Sequence, residues 1–564
     1  MARTVAIGIQ DFEKIVLNNY FYVDKTLFIK EWWENGDSVT LITRPRRFGK
    51  TLNMNMIEHF FSVDYKEQGN LFEKWNIWKY EKYHDMHGKF PVIALSFAGV
   101  KGTNFIDTRR QICQEIVEVY EKYRFLLEEE GFLSDREKEF FKAVSRDMEN
   151  DIAALSLKKL SGLMARYYKQ NAIILLDEYD TPMQEAYVNG YWDEIVPFMG
   201  NLLNSTFKTN PYLYRAIMTG ITRISKESIF SDLNNLEVIT ASSEKYADIF
   251  GFTQKEVSEA LAEFGILDME ERVRDWYNGF TFGKRTDIYN PWSIINFLEK
   301  KSFSTYWANT SSNNLVGKLI QGSSKSLKVV MEDLLHGKTF RTKIDEQVVF
   351  NQLDHNEHAI WSLLLASGYL KVESYTFDGE TGKEEYCLSL TNKEIKLMFE
   401  NMIEGWFKNY SPAYNDFVKA LLHHDKKSMN YYMNKVALAT FSNFDAGRKP
   451  SESTEPERFY HGFVLGLIVE LSDRYMITSN RESGFGRYDV MLEPLKGNEN
   501  DDAILMEFKV YDQEEEKTLQ DTVEKALLQI ERKQYTKALE AKGFPVSRIR
   551  KYGFAFEGKT VLIG

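Results

Sequence analysis

The segment that decides the fold is ITRPRRFGKT, residues 42–51. It ends in Gly49, Lys50 and Thr51, as the phosphate-loop pattern G-x-x-x-x-G-K-[ST] requires, but Arg44 stands where that pattern has its first glycine. A phosphate loop follows a buried strand and opens a helix, whose free N–H groups face the anion. The apolar SVTLIT before the loop and the helically spaced GKTLNMNMIEHFFS after it meet both conditions. The segment therefore predicts a nucleotide site, with a basic turn that binds nucleic acid as the alternative.

In this interpretation, Lys50 contacts the β- and γ-phosphates and the Thr51 hydroxyl binds Mg²⁺. A second motif, IILLDEYD at 173–180, is an apolar strand that ends in adjacent carboxylates. Asp177 would hold Mg²⁺ through water, and Glu178 would polarise the attacking water. A strand that simply ends in a polar loop is common, but two motifs in the right order favour a nucleotide site.

A third strand, in YRAIMTGITRIS, ends near Thr219, and Arg223 lies just beyond it. Both side chains are placed to sense the γ-phosphate. An equally good interpretation makes Thr219 a cap of the strand end and Arg223 a surface charge.

Short apolar segments alternate with long amphipathic ones over the first half of the chain, which predicts a parallel sheet with helices on both faces. The expected strands are SVTLIT (38–43), FPVIALSF (90–97), NAIILLD (171–177) and LYRAIMTG (213–220). We expect an α/β protein with an NTPase domain at 1–240, a helical lid at 241–335, a winged-helix-like and helical middle region at 336–440, and a second α/β domain at 455–564. The middle region starts with a helix (358–370) and a hairpin that turns at Asp378-Gly379.

The composition restricts the function classes. With 43% hydrophobic and 14% aromatic residues the chain is globular, and its net charge of −12 argues against coating nucleic acid by bulk charge. Cys113 and Cys387 are far apart and lack metal-ligand neighbours, which fits a reducing cytosol. No apolar run approaches the ~20 residues that cross a bilayer. We therefore expect a soluble cytoplasmic protein without a membrane partner.

A second candidate site lies near the C-terminus. Asp489 falls in GRYDVMLEP, and Glu507 and Lys509 fall in AILMEFKVY. Residues i and i+2 of a strand point to the same face, so Glu507 and Lys509 can share a pocket with Asp489. Two carboxylates can bind Mg²⁺ while the lysine orients or activates a water. A solvated strand pair is the alternative, but the apolar neighbours indicate a buried strand, where charges persist when paired or bound to metal.

Five blocks in order resemble the AAA-ATPase-like family that is widespread in anaerobic bacteria: NNYFYVDKTLFIKEW, LITRPRRFGKTLNMNM, ILLDEYDTPM, TGITRISKESIFSDLNNL, and WYNGFTFG with YNPWSI. An arginine-rich loop that ends in Gly-Lys is usual in that family, so the resemblance favours a site for ATP and Mg²⁺. The candidate nucleotide-binding residues are Arg44, Arg47, Phe48, Gly49, Lys50, Thr51, Asp177, Thr219 and Arg223, with Glu178 as a catalytic candidate. The WYNGFTFG block has no assigned role beyond packing the lid.

Roughly the last 110 residues resemble the PD-(D/E)XK nuclease superfamily, in the branch fused to that ATPase-like family. The resemblance implies a Mg²⁺-dependent nuclease in which Asp489, Glu507 and Lys509 act, with Asp489 and Glu507 as metal ligands. In the opening helix, ERFYHGFVLGLIVEL, Glu457 is the first choice for a further catalytic carboxylate and Glu470 the second. Gln529 and Tyr535 would line the DNA side.

The basic cluster of Arg548, Arg550 and Lys551 would track a phosphate backbone. The leading hypothesis is thus a bacterial protein that binds and hydrolyses ATP and cleaves DNA with Mg²⁺, in defence against foreign nucleic acid and as a homo-oligomer. The alternative is a nucleotide-dependent regulatory or scaffold protein whose nuclease-like domain only binds nucleic acid or a partner.

Overall fold

The computed structural model describes residues 2–224, 233–308, 314–323, 325–345, 347–348, 350, 353, 356–379, 383–408, 411–440, 455–468, 471–472, 474–479, 482–483, 486–487, 489–498, 500–512 and 515–564. The chain forms two compact units. The N-terminal unit contains Met1–Leu319 and Thr339–Met398, and the C-terminal unit contains Ile320–Lys338 and Phe399–Gly564.

A five-stranded parallel sheet is the core of the N-terminal unit. Its strands are β1 (Val39–Thr43), β2 (Val92–Ser96), β3 (Ala172–Asp177), β4 (Leu213–Gly220) and β5 (Leu236–Ile239), in the spatial order β2-β3-β4-β1-β5. β1 and β3 are buried along their whole length, as their β-branched and leucine runs require. The predicted parallel sheet is confirmed. The edge strand β5 was not predicted, because its four residues include Glu237 and form no continuous apolar run.

Helices connect these strands and extend beyond them. Their bounds in the N-terminal unit are Phe12–Leu17, Leu27–Asn35, Lys50–Phe61, Glu81–His84, Phe105–Lys122, Phe125–Glu128, Asp135–Ala143, Asn150–Tyr168, Thr181–Asn189, Trp192–Phe207, Gln254–Glu263, Glu270–Tyr277, Pro291–Lys300 and Glu357–Ala366. Two further helices, Asn314–Gly322 and Lys393–Lys408, begin in the N-terminal unit and end in the C-terminal one. Among the described residues, no helix is long and apolar enough to cross a membrane.

The region predicted as a helical lid also contains a small antiparallel sheet. Its strands are Phe252–Thr253, Phe280–Phe282 and Arg285–Tyr289. Val257, Tyr277 and Phe297 are buried in the core of this region, and Phe21 and Val23 from the start of the chain pack against it. The WYNGFTFG block supplies the strand Phe280–Phe282, so it is a structural part of this region.

A helix followed by a hairpin is present in the middle region, as predicted. The helix is Glu357–Ala366, and the hairpin strands are Leu370–Asp378 and Lys383–Leu390. Phe340–Thr342 pairs with the second of them to complete a three-stranded antiparallel sheet. The first hairpin strand ends at Asp378, where the turn was expected.

The C-terminal unit is built on a mixed five-stranded sheet. Its strands are β6 (Tyr475–Ser479), β7 (Val490–Pro494), β8 (Ala503–Val510), β9 (Ile549–Glu557) and β10 (Thr560–Ile563), which lie in that spatial order. Only the pair β8 and β9 is parallel. The helices are Lys325–Leu335, Ser411–Leu422, Lys426–Thr440, Glu455–Ile468, Leu519–Arg532 and Thr536–Glu540. The last two of these helices are separated near Gln534, whose φ is +53°.

The helix Lys426–Thr440 protects the edge of this sheet. Side chains of Asn430 and Asn434, one helical turn apart, each donate to and accept from the backbone of β10, at Ile563 and Val561, over 2.6 to 2.9 Å. These amides take the place of a neighbouring strand and close an otherwise open sheet edge. Residues 411–440, expected in the middle region, therefore share a core with the C-terminal sheet.

Candidate functional site

The loop after β1 has the backbone of an anion site. Gly49 has a φ of +79° and is the N-cap of the helix Lys50–Phe61. This left-handed conformation suits glycine, which carries no Cβ. Arg47 also has a positive φ, +65°. The turn that these two residues make directs the helix N-terminus, with its free N–H groups, toward the loop.

Lys50 is buried at the start of this helix. Its Nζ donates to the carbonyl oxygens of Arg44 and Pro45 at 3.0 and 3.1 Å, and Glu178 Oε1 lies 3.6 Å away. A buried ammonium group that is held only by carbonyls and one carboxylate is well placed to exchange these partners for phosphate oxygens.

Asp177, at the end of β3, is hydrogen-bonded to the start of the loop helix and to the end of β4. Its Oδ2 accepts a hydrogen bond from the Thr51 hydroxyl at 2.7 Å, and its Oδ1 accepts one from the Thr219 hydroxyl. Burial raises the pKa of Asp177, and the neighbouring Glu178 carboxylate raises it further. A carboxylate beside a hydroxyl, both hard oxygen donors, is a ligand set that fits Mg²⁺.

Glu178 has a φ of +54°, in the left-handed region that is costly for a side chain of this size. Its backbone N–H donates to the Thr219 hydroxyl at 3.2 Å, and the Thr181 hydroxyl contacts its Oε2 at 3.4 Å. The strained turn directs the Glu178 carboxylate into the cavity beside Lys50. Thr219 therefore donates to the Asp177 carboxylate and accepts from the backbone N–H of Glu178.

A cavity of about 410 Å³ opens above the loop. Of the residues predicted to bind nucleotide, those that line it are Arg47, Phe48, Gly49, Lys50 and Thr51, together with the catalytic candidate Glu178. The prediction missed Lys25, Arg46 and Lys101, three further basic residues in the lining. Arg46 could have been predicted from its place in the loop, but no local sequence pattern marks Lys25 or Lys101 as part of a nucleotide site.

Arg44 is not among the residues that line this cavity, so its expected part in nucleotide binding gains no support from the geometry and stays a prediction. Its side chain is fully buried, and Nη1 donates to the carbonyl oxygens of Thr43 and Thr240 at 2.9 and 2.7 Å. The guanidinium lies over the Phe282 ring at 4.3 Å. In place of the first glycine of the pattern, the chain has a cation that joins the loop to residues far along the sequence.

Arg223 lies outside the cavity lining as well. It belongs to the short strand Arg223–Ile224, which pairs in parallel with Gln347–Val348. Its expected contact with the γ-phosphate stays a prediction.

Residues 280–292 support the loop from outside. Phe48 packs edge-on against Phe280 and Phe282, with ring centroids 4.8 and 5.5 Å apart, and the Arg47 guanidinium lies 4.4 Å from the Trp292 ring. The WYNGFTFG and YNPWSI blocks thus hold the phosphate loop, a role the sequence left open.

The second site lies on one face of the C-terminal sheet. Glu507 is 1% exposed in the middle of β8, and Asp489 immediately precedes the paired strand β7. Asp489 Oδ2 accepts a hydrogen bond of 2.7 Å from the backbone N–H of Phe508, and Lys509 Nζ lies 3.9 Å from Glu507 Oε1. Burial raises the pKa of Asp489 to about 6. The three predicted residues are together, and their two carboxylates fit a divalent cation.

Gln529 reaches this site from the helix Leu519–Arg532. Its Nε2 donates to Glu507 Oε1 and lies 3.5 Å from the Tyr535 hydroxyl. The helix Glu455–Ile468 packs on the opposite face of the sheet, against Ile504, Met506 and Phe508. It contains Glu457, whose side chain lies outside the described residues, as does Glu470.

The basic cluster at the start of β9 is paired with carboxylates of the same domain. Arg548 and Arg550 pair with Asp502 at 3.3 and 2.8 Å, and Lys551 pairs with Glu531 at 2.6 Å. The expectation that these three cations would track a phosphate backbone is therefore not supported, because each already has a carboxylate partner.

Two family models match this chain, one over each candidate site. Residues 6–230 match the family model of a predicted AAA-ATPase, and residues 455–564 match that of the PD-(D/E)XK nuclease superfamily. A curated relative, described as an uncharacterized protein in the vnfD 5' region of Azotobacter chroococcum mcd 1, is 26% identical over 407 residues, which are 70% of this chain and 68% of the relative.

A solved structure also matches, that of a Signal Transduction ATPase with Numerous Domains protein with a tetratricopeptide repeat sensor from Pyrococcus horikoshii. The identity is 12% and the TM-score 0.23, over 80% of this chain and 54% of the other, so the match spans about half of that protein. At this TM-score the likeness carries no argument. From the two family models, the chain contains a predicted AAA-ATPase domain at residues 6–230 and a domain of the PD-(D/E)XK nuclease superfamily at residues 455–564.

Proposed function

We propose that the chain binds and hydrolyses ATP with Mg²⁺ at the phosphate loop, and that its C-terminal domain cleaves DNA phosphodiester bonds with Mg²⁺. The observation that carries the nuclease half is the buried Glu507, which interrupts an apolar strand beside Asp489 and Lys509. A carboxylate that costs several kcal/mol to bury is retained where it is paired or binds a cation.

Each residue then has a role. Asp489 and Glu507 would hold the cation, which when bound polarises the scissile phosphate and activates a water. Gln529 fixes the orientation of Glu507 through its hydrogen bond, and Lys509 orients the attacking water. In the ATPase domain, Lys50 would bind phosphate, Thr51 and Asp177 would hold Mg²⁺, with Asp177 acting through water, and Glu178 would polarise the hydrolytic water. Defence against foreign DNA, by a homo-oligomer, is the setting we propose for this activity.

One observation favours the alternative, a regulatory or scaffold protein. Arg548, Arg550 and Lys551 are all paired with carboxylates, so this basic cluster offers less charge to a DNA backbone than its sequence suggests. Under this alternative the nuclease-like domain binds nucleic acid or a partner without cutting it.

A plasmid-cleavage assay distinguishes the nuclease from the regulatory or scaffold protein. We would compare the wild-type protein with Lys50→Ala and Lys509→Ala, with Mg²⁺ and with or without ATP, and use Lys496→Ala, an exposed lysine of the same domain, as the control. Loss of cutting in K509A with normal ATP binding supports the nuclease, and loss in K50A as well means that nucleotide gates it. Equal cutting by wild type and K509A refutes the catalytic assignment, and no cutting by the wild type favours the alternative.

A further inference from the structure

A carbonyl group of the phosphate loop is held by residues outside the matched ATPase segment. The carbonyl oxygen of Arg46 accepts a hydrogen bond of 2.9 Å from Trp307 Nε1, with Asn290 Nδ2 at a longer 3.4 Å. Arg46 lines the nucleotide cavity. The peptide group that turns at the centre of the loop is thus fixed by side chains 244 and 261 residues further along the chain.

Trp307 is held in turn by one carboxylate. The backbone N–H groups of Trp307 and Ala308 both point to Glu394 Oε1, at 2.6 and 3.4 Å, and the Ser293 hydroxyl donates to Oε2 at 2.7 Å. Trp307 and Glu394 are each 1% exposed. Their hydrogen bonds are therefore made without competition from water, where such bonds are strongest.

Packing leaves the indole little freedom to move. The Trp307 ring lies 5.5 Å from Phe280, edge-on, and 5.5 Å from Tyr369. Gly368, with a φ of +81°, allows the close approach of Phe280 and Pro45, because an added Cβ would come within 2.8 Å of both. The indole N–H is thereby directed at the loop by contacts on each side.

Glu394 also has a particular place in the chain. It is the second residue of the helix Lys393–Lys408, which begins in the N-terminal unit and continues into the C-terminal one. A change at the loop that moves Trp307 would reach this carboxylate, and through it the first turn of that helix.

We propose that Glu394 is a positioning residue for the nucleotide site. It holds Trp307 against the Arg46 carbonyl, keeps the phosphate loop in its binding conformation, and so couples loop occupancy to the start of the helix Lys393–Lys408. This inference rests on the proposed ATP binding. Coupling of this kind is reciprocal, so ATP must also tighten the contacts of Glu394.

The first test is a double-mutant cycle on the full-length protein, with a fluorescent ATP analogue and Mg²⁺. Trp307→Phe keeps an aromatic ring but removes the donor to Arg46, and Glu394→Ala removes the carboxylate. We expect each to weaken binding about tenfold, and the double variant to bind no more weakly than W307F. Glu394→Gln, which keeps an acceptor oxygen for Trp307, should recover most of the affinity. Glu493→Gln is the control, a buried carboxylate paired with Lys542 in the C-terminal unit.

Additive losses in the double variant would overturn the inference, since Glu394 would not act through Trp307. So would unchanged affinity in W307F, the variant least able to disturb folding. If the wild type binds no more tightly than K50A, the proposed nucleotide site itself is refuted.

Hydrogen exchange gives a second readout that a merely structural residue would not move. The amides of Trp307 and Ala308 should exchange more slowly when Mg²⁺ and ATP are added to the wild type, and this protection should be absent in W307F. Equal protection in both proteins would contradict the coupling.

Discussion

The Thr51 hydroxyl donates a hydrogen bond of 2.7 Å to Oδ2 of Asp177 and so joins the start of the loop helix to the end of β3. The two residues are 126 positions apart in the chain. The parallel order of the sheet brings their strand ends to the same edge, with β4 between β1 and β3. Both groups offer the oxygen ligands that a Mg²⁺ site uses.

Replacing Thr51 by alanine should therefore remove the effect of Mg²⁺ on nucleotide binding. We expect Mg²⁺ to strengthen binding of an ATP analogue to the wild type. In the T51A variant, the factor by which Mg²⁺ strengthens binding should be at least about tenfold smaller. Thr51→Ser keeps the hydroxyl and should behave like the wild type. Titrations with Mg²⁺ and with EDTA measure the difference. A full Mg²⁺ effect in T51A would exclude Thr51 as a ligand.

Restoring the missing glycine of the phosphate-loop pattern should harm the protein. Arg44→Gly removes a buried guanidinium that donates to two carbonyl groups and lies over Phe282. We expect the free energy of unfolding to fall by about 2 to 4 kcal/mol, with no gain in ATP affinity. Urea unfolding measures the first effect. Arg146→Gly, in an exposed turn, is the control, and equal stability of the two variants would contradict a structural role for Arg44.

These cases show why part of the site could be read from sequence. Gly49 and Lys50 follow from a local pattern, a strand, a glycine turn and a helix start, that needs no distant partner. The role of Arg44 could not be predicted, because Thr240 and Phe282 reach it only in the folded chain. For the same reason Trp307 was missed, since a single tryptophan carries no local signal of its contact with the loop.

The C-terminal domain gives the same lesson. Alternation along β8 was enough to put Glu507 and Lys509 on one face, because side-chain direction in a strand has a period of two. The cluster at Arg548 looked available for DNA in sequence, but Asp502, just before the adjoining strand β8, pairs with Arg548 and Arg550. Charge balance between neighbouring strands is a property of the fold and not of either segment.

Gln529 should be needed for cleavage although it holds no metal in our proposal. Its amide donates to Glu507, and a partner that orients a metal ligand is typically worth 10- to 100-fold in affinity or activity. We expect Gln529→Leu to lower the rate of Mg²⁺-dependent plasmid cleavage by about that factor. Gln520→Leu, at an exposed position of the same helix, should cut like the wild type. Equal rates in the two variants would show that Glu507 needs no such orientation.

Glu394 should make the protein less stable as the pH rises. Burial raises its pKa from 4.5 to about 7, so the folded state keeps a proton that the unfolded state loses between these values. Stability from this group is therefore complete below about pH 4.5 and is lost as the pH rises through 7, by roughly 3 kcal/mol in all. Glu394→Gln does not titrate. Its free energy of unfolding relative to wild type should rise from pH 5 to pH 8, and a constant difference would contradict the shift.

The fragment 455–564, which matches the nuclease family model, should not fold stably alone. Its sheet shares a core with Phe417, Leu421, Met429, Met433 and Val436, and its edge strand β10 is closed by Asn430 and Asn434. Without residues 411–440 this apolar face and the strand edge would be exposed to water. We expect cooperative urea unfolding for a fragment 411–564 and none for 455–564. Cooperative unfolding of the shorter fragment at the same urea concentration would mean that the two helices add nothing to the nuclease core.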